Sequence, residues 1–194
     1  MHDSLLRDVA FWSFLLSVDR GFVKEAREKG CSCGGHLHAG NYFRNPRGAP
    51  DSLPKECCLR LSLCCGQEGC RKRLTPPSVR FLGPKVYLLS VIFLAAAMRQ
   101  GPSPRAMREL GTLFGADRRT ITRWQVLWQE HFPQTGFWKV ERAQLPRPHE
   151  ATSLPRALVE AFFTSDQPRD DWERLLRFLS PITIADGLAV AIRQ

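Results

Sequence analysis

Residues 107–126, MRELGTLFGADRRTITRWQV, read as two short helices joined by a tight turn, the second of them basic. Leu110, Phe114, Ala116, Ile121 and Trp124 place apolar side chains at helical spacing on two segments. Gly115 stands between them, where a tight turn asks for a residue free to take positive φ. Gly111 is small where the two backbones would cross. Asp117 suits the N-cap of the second helix, because its carboxylate can accept the helix's unpaired N–H groups. Arg118, Arg119, Thr122 and Arg123 are left facing outward. The first turns of such a helix are the part that enters a DNA major groove, and arginine is the commonest reader of guanine there. These four are therefore candidate base-reading residues. The bland alternative is a helical hairpin with a solvated basic face.

The distribution of charge weighs against the bland alternative. The 194-residue chain has a formal net charge of +9. Between Arg71 and Arg123 stand eleven lysines or arginines and two acids, Glu109 and Asp117, so about a quarter of the chain carries the whole excess. A localised basic field is the electrostatic footprint of a protein that binds a phosphate backbone. A membrane-surface patch would instead place the cations along one long amphipathic helix, and they are not so arranged. The apolar run from Val9 to Val18 is flanked by Asp3, Asp8 and Asp19 and lacks a small-residue cleavage site, so it does not read as a targeting segment. The run from Val86 to Met98 is thirteen residues, too short to span a bilayer. These features lead us to expect a soluble, cytoplasmic, nucleoid-associated protein with no membrane partner.

Upstream, residues 4–28 read as a helix. Leu5, Val9, Trp12 and Leu16 form one stripe and Phe11, Leu15, Val18 and Phe22 a second, with Phe14 widening the surface. A face that broad suits packing against more than one neighbour. Gly30 ends the helix, and the cysteines begin: Cys31-Ser32-Cys33-Gly34-Gly35-His36-Leu37-His38. A strand-like alternation follows at residues 58–64, with Leu59, Leu61 and Leu63 on one face. It leads into Cys65-Gly66-Gln67-Glu68-Gly69-Cys70. Seven cysteines is an odd number, and clustering of this kind in a reducing compartment points to metal rather than disulfides. Two cysteine knuckles on turns, separated by about thirty residues that contain a strand, describe a zinc ribbon. Thiolates suit zinc, which takes tetrahedral sulfur readily. The reading selects Cys31, Cys33, Cys65 and Cys70 as ligands of a Zn²⁺ ion. Cys64 in place of Cys65, and His36 or His38 as partner of Cys33, stay open. Structural zinc contributes on the order of 10 kcal/mol in small modules, and this one has few large apolar residues to replace it.

Downstream of Cys70, Arg71-Lys72-Arg73 form a basic exit, and Pro84 opens a helix to about Gln100 that is apolar nearly all round and thus buried. Ser103 and Pro104 start the next helix, whose Arg105 and Arg108 would meet phosphates where it crosses the DNA backbone. The basic helix continues from Arg118 to about His131, with Trp124, Leu127 and Trp128 facing the core. A short helix from Phe137-Trp138, an amphipathic segment with Leu158, Val159, Phe162 and Phe163, and a helix from Pro168 through Leu179 complete the chain. Asp170, Asp171 and Glu173 sit where acids complement a helix dipole. The fold class expected is mainly α with a small β-containing zinc ribbon, and a trihelical helix-turn-helix domain followed by a helical tail. Its segments are an N-terminal helix (1–29), the ribbon (30–75), the helix-turn-helix domain (76–131) and a helical region (132–194).

The segment GADRRTITRW, residues 115–124, resembles the helix-turn-helix of bacterial regulators and transposon proteins. Together with Cys31-Ser32-Cys33-Gly34 and Cys65-Gly66-Gln67-Glu68-Gly69-Cys70-Arg71, it makes residues 30–131 similar to small accessory proteins of bacterial insertion sequences. That resemblance implies binding to double-stranded DNA at element ends or at the element's promoter, with a transposase subunit as a further partner. The chain departs from the pattern in a first cysteine pair one residue short and in the tail after residue 131. No enzyme is expected: the 63 residues after His131 are too few for a two-metal α/β domain, and no nucleophile has a persuasive base. Two other classes compete. One is a non-catalytic protein-interaction adaptor of a transposase or other DNA-processing complex. The other is a thiol redox protein built on Cys31-Ser32-Cys33, which lacks the expected strand-and-helix setting.

Overall fold

Helix α1, Val9–Lys29, is the element that the rest of the chain packs around. The computed structural model describes residues 8–45, 49–81, 104–105, 108, 111–112, 117–145, 154 and 156–183. The buried helix expected at 84–100 and the turn at Gly115 lie outside the described residues. What is described is mainly α-helical with a small antiparallel sheet.

The Asp8 carboxylate caps α1, accepting the Ala10 N–H at 2.8 Å. Gly30 closes it, with φ of 71° and its N–H shared between the Ala26 and Arg27 carbonyls. The helix begins at Val9 rather than at residue 4, and it buries Phe11, Leu15, Val18 and Phe22 of the second stripe, Trp12 and Leu16 of the first, and also Phe14 and Asp19; Val9 is half-buried and Leu5 lies outside the described residues. This double face meets two neighbours. On one side Phe11 meets the edge of Trp172, with ring centroids 6.3 Å apart. Arg169 lies over Phe14 and Arg177 over Phe22 on the same side. On the other side Asp19 and Arg20 hold the cysteine-containing module.

That module is a kinked β-arm. Strand β1 (Leu37–Ala39) pairs antiparallel with β4 (Leu63–Cys65), and β2 (Tyr42–Phe43) pairs with β3 (Leu59–Arg60). Ala39 stands opposite Leu63 and Tyr42 opposite Arg60, so one register runs through both pairs. Between them Gly40 N–H donates to the Ser62 carbonyl and Ser62 N–H to Asn41 Oδ1. Strand β5 (Arg73–Leu74) adds to β4.

The uninterrupted alternation expected over 58–64 is corrected here. Cys58 ends a short 3₁₀ turn, Lys55–Cys58, and the strand breaks between Arg60 and Leu63. Leu63 is buried, but Leu59 and Leu61 are only half-buried, while Arg60 and Ser62 are buried. The polar side chains are tolerated inside because each has partners. Arg60 donates to the Pro76 carbonyl at 2.6 Å and to its neighbour Leu61, and Ser62 Oγ donates to the Leu74 carbonyl.

Among the helical elements, α2 (Arg118–Val126) passes into a π-helical turn, Leu127–His131, rather than running on as one α-helix to His131. Pro133 follows at once; it has no N–H to offer, and its ring crowds the preceding turn, which favours the wider winding. Helix α3 (Gly136–Glu141) starts at Thr135, whose hydroxyl accepts the Trp138 N–H at 3.2 Å. Helices α4 (Arg156–Phe162) and α5 (Pro168–Leu179) pack against each other. Trp128, Phe132 and Trp138 stack in a chain of rings, and Phe163 meets Trp172 edge-on at 4.7 Å. The buried core joins residues of α1, Cys57, Val79, Leu127, Trp128, Trp138 and α5. Among the described residues no helix is long and apolar enough to cross a membrane.

Candidate metal centre

The β-arm brings Cys31, Cys33, Cys65 and Cys70 together, with all four sulfurs within 4.8 Å of one another. Cys33 Sγ lies 3.4 Å from Cys65 Sγ and 3.5 Å from Cys31 Sγ, and Cys31 Sγ lies 3.8 Å from Cys70 Sγ. Four sulfurs at about 2.3 Å from a tetrahedral zinc would stand about 3.8 Å apart. The quartet therefore has the size to hold a metal ion with no other ligand, as a structural rather than a catalytic site does.

Local chain geometry explains the convergence. The Gly34 N–H donates to the Cys31 carbonyl at 2.8 Å, curling the first loop so that Cys31 and Cys33 both face inward. The single residue between them is enough. The second loop leaves β4 with the Gly66 N–H bonded to the His36 carbonyl at 2.9 Å. It then turns back, with Cys70 and Arg71 N–H both donating to Gln67 O. Gly69 (φ 83°) and Arg71 (φ 46°) take left-handed backbone to complete the turn. The Gln67 N–H points at Cys65 Sγ from 3.5 Å, which favours a thiolate there.

The alternatives for the ligand set lie elsewhere. Cys64 turns its thiol toward the Arg71 and Cys65 carbonyls. His36 lends its backbone oxygen, and the His38 ring lies over Gly66, within 2.6 Å of where a Cβ would sit. Neither histidine belongs to the close group.

Without a cation Cys31, Cys65 and Cys70 hold their protons unequally. The Cys33 amide, then its thiol, bring Cys31 down to about 6. Cys65 is pushed up to about 12: the Gln67 amide lowers it, but desolvation and the Cys33, Cys31 and Cys70 sulfurs outweigh that help. Cys70 also rises, since neighbouring sulfurs and desolvation overcome the Lys72 amide. A Cys31 thiolate crowded by two reluctant thiols, Cys65 and Cys70, is the state that a divalent cation would relieve, by accepting the sulfurs as anions.

Two features of the site escape the sequence pattern. Gly35 forms the floor: a Cβ there would fall 2.6 Å from Cys65 Sγ and 2.7 Å from Gln67 Cβ. The Gly34-Gly35 doublet after Cys33 is the available signal. Asp19, which in the sequence stands as a charged stop to an apolar run, is instead buried against the module's exit. Its Oδ2 accepts from Ser78 Oγ at 2.6 Å and Arg80 Nε at 2.8 Å, and its Oδ1 accepts from Val79 N–H at 2.7 Å. Burial raises the Asp19 pKa, opposed by Arg80, Ser78 and Val79.

The candidate DNA-binding residues fall outside this centre. Arg118, Arg119, Thr122 and Arg123 belong to α2; the three arginines are exposed, and Thr122 Oγ1 is bonded to the Arg118 carbonyl at 3.0 Å. Arg105 and Arg108 are exposed too. Comparison of the chain with protein-family models, with curated proteins and with solved structures finds no match.

Proposed function

We propose that the chain is a zinc-dependent, sequence-specific DNA-binding protein, a transcriptional regulator or a transposition accessory. In this reading helix α2 enters the major groove with Arg118, Arg119, Thr122 and Arg123 toward the bases. Arg105 and Arg108 hold phosphates, and the four-cysteine centre holds a structural Zn²⁺. The observation that carries the proposal is the state of α2. Arg118, Arg119 and Arg123 are exposed within one nine-residue helix and pair with no acid among the described residues. Three uncompensated guanidinium groups on one short helix repel each other, and a polyanion relieves that repulsion. The quartet of thiols supports zinc through the softness of its donors.

The test is selection of bound duplexes from a random pool by the zinc-loaded full chain, with and without chelator. A defined site should emerge with zinc and fade on chelation. Replacing Arg119 by Ala should then weaken binding to that site by about 1–3 kcal/mol and relax the preference at one position. Failure to enrich any duplex in dilute buffer overturns the proposal. An unchanged ratio of specific to random binding in the Arg119 variant removes that residue from the reading.

A further inference from the structure

The β-arm carries a surface that the metal centre does not use. Phe43 on β2 is 71% exposed and Tyr42 beside it 37% exposed, although aromatic rings of this size are ordinarily covered. Their surroundings are cationic. Residues 36–45 and 57–81 contain six arginines or lysines and one acid, Glu68. Two of the six, Arg60 and Arg80, are buried in bonds to carbonyls and to Asp19. Arg71, Lys72 and Arg73 are exposed, and Arg44, next to Phe43, is half-buried. The Arg73 guanidinium lies over the Tyr42 ring, 5.7 Å from its centroid, so charge and ring already form one unit.

We infer that the Tyr42–Phe43 strand with Arg44 and Arg73 is a binding surface for single-stranded nucleic acid. An exposed ring gains most from a planar partner, and a rim in which cations outnumber acids gains most from a polyanion. An unpaired nucleotide strand supplies both, a base for Phe43 and phosphates for the arginines. A duplex supplies only the phosphates, because its bases are already stacked on each other. The occupant is therefore the single strand. The surface lies on the β-arm rather than on α2 and does not depend on how that helix is read.

The probe is a fluorescently labelled oligo-deoxythymidine of about twenty nucleotides, titrated into the zinc-loaded full chain at low salt. Thymidine runs have little structure of their own. Phe43→Ala should weaken binding roughly 5- to 150-fold, the range for loss of one base–aromatic stack, and Phe43→Trp should restore it. Arg73→Ala should lower the salt slope by about 0.7, the value for one phosphate contact on a single strand. Because the Phe43 ring is exposed, zinc content and circular dichroism should match those of the parent. Phe43→Ala should leave duplex binding unchanged, which separates this surface from α2. Absence of thymidine binding by the parent overturns the inference, as does parental affinity in Phe43→Ala. If Phe43→Ala keeps its thymidine affinity but loses binding to polyglutamate, the surface belongs to an acidic protein partner and the inference falls.

Discussion

At the scale of single residues, the centre depends on an atom that is missing. Gly35 has no Cβ, and one placed there would overlap both a candidate ligand sulfur and the Gln67 side chain at its base. Neither neighbour is the loose end of a flexible chain, so Gly35→Ala should displace Cys65 and cost at least about tenfold in metal affinity, measured by competition with a chromogenic chelator. Gly34→Ala is the control. Gly34 has φ of 80° but nothing within 4 Å of the methyl that alanine would add. That substitution should cost about 1 kcal/mol of stability through backbone strain and leave affinity nearly unchanged. Equal losses in the two variants would show that strain, not overlap, governs the site. The contrast also marks what the sequence could disclose. Cysteines announce themselves by type and spacing, so Cys31, Cys33, Cys65 and Cys70 could be nominated from the chain alone. The need for Gly35 could not, because it is set by the approach of Cys65 and Gln67 from the other loop.

At the scale of elements, helices are more legible than strands. The stripes of α1 and the proline that opens α5 follow from local periodicity and the fixed φ of proline, both properties of neighbouring residues. The β-arm breaks at Leu61–Ser62 because of Asn41, Leu74 and Pro76, which reach it from other parts of the chain. An alternation pattern carries no trace of such partners. The start of α5 shows the same limit in finer form. Of the three acids there, Asp170 is exposed, Glu173 pairs with Arg177 at 2.9 Å, and Asp171 is closed over by its partners. Asp171 Oδ1 accepts from Ser165 Oγ at 2.8 Å and from Arg174, tying the preceding loop to the helix. Desolvation would raise the Asp171 pKa, but the bonds from Ser165 and Arg174 win and hold it below the usual carboxylate value. A depressed folded-state pKa contributes stability that is complete above the unfolded value, about 3.9, and is lost as pH falls through the folded value. Asp171→Asn should therefore lower the melting temperature at neutral pH, and the two melting curves should converge under acid. Thermal melts between neutrality and about pH 2.5 check this; a gap that stays constant over that range would mean the carboxylate's charge is not what stabilises the loop.

At the scale of the whole molecule, the question is whether the metal centre is felt in the helices. The connection runs through Asp19. Its carboxylate grips Ser78, Val79 and Arg80 just beyond β5, and Arg80 in turn donates to the Cys57 and Leu59 carbonyls at the foot of the β-arm. Asp19 itself belongs to α1, whose other side packs on Trp172 of α5. Loss of the four sulfur bonds should loosen the arm, free Arg80 and leave Asp19 buried without its partner. An uncompensated buried charge costs about 3–5 kcal/mol, enough to pull α1 into the same transition. Tryptophan reports on this cleanly, since the five tryptophans are at 12, 124, 128, 138 and 172 and none lies between residues 30 and 75. Chelation should therefore lower the midpoint of the tryptophan fluorescence melt, although no tryptophan lies in the four-cysteine module. Asp19→Asn should lower that midpoint with metal present, because Arg80 loses its counter-charge, and should also make it insensitive to chelator, because the link is already cut. A parent protein whose tryptophan melt ignores chelation would show that the arm folds on its own, and that the Asp19 bonds join two bodies without coupling them.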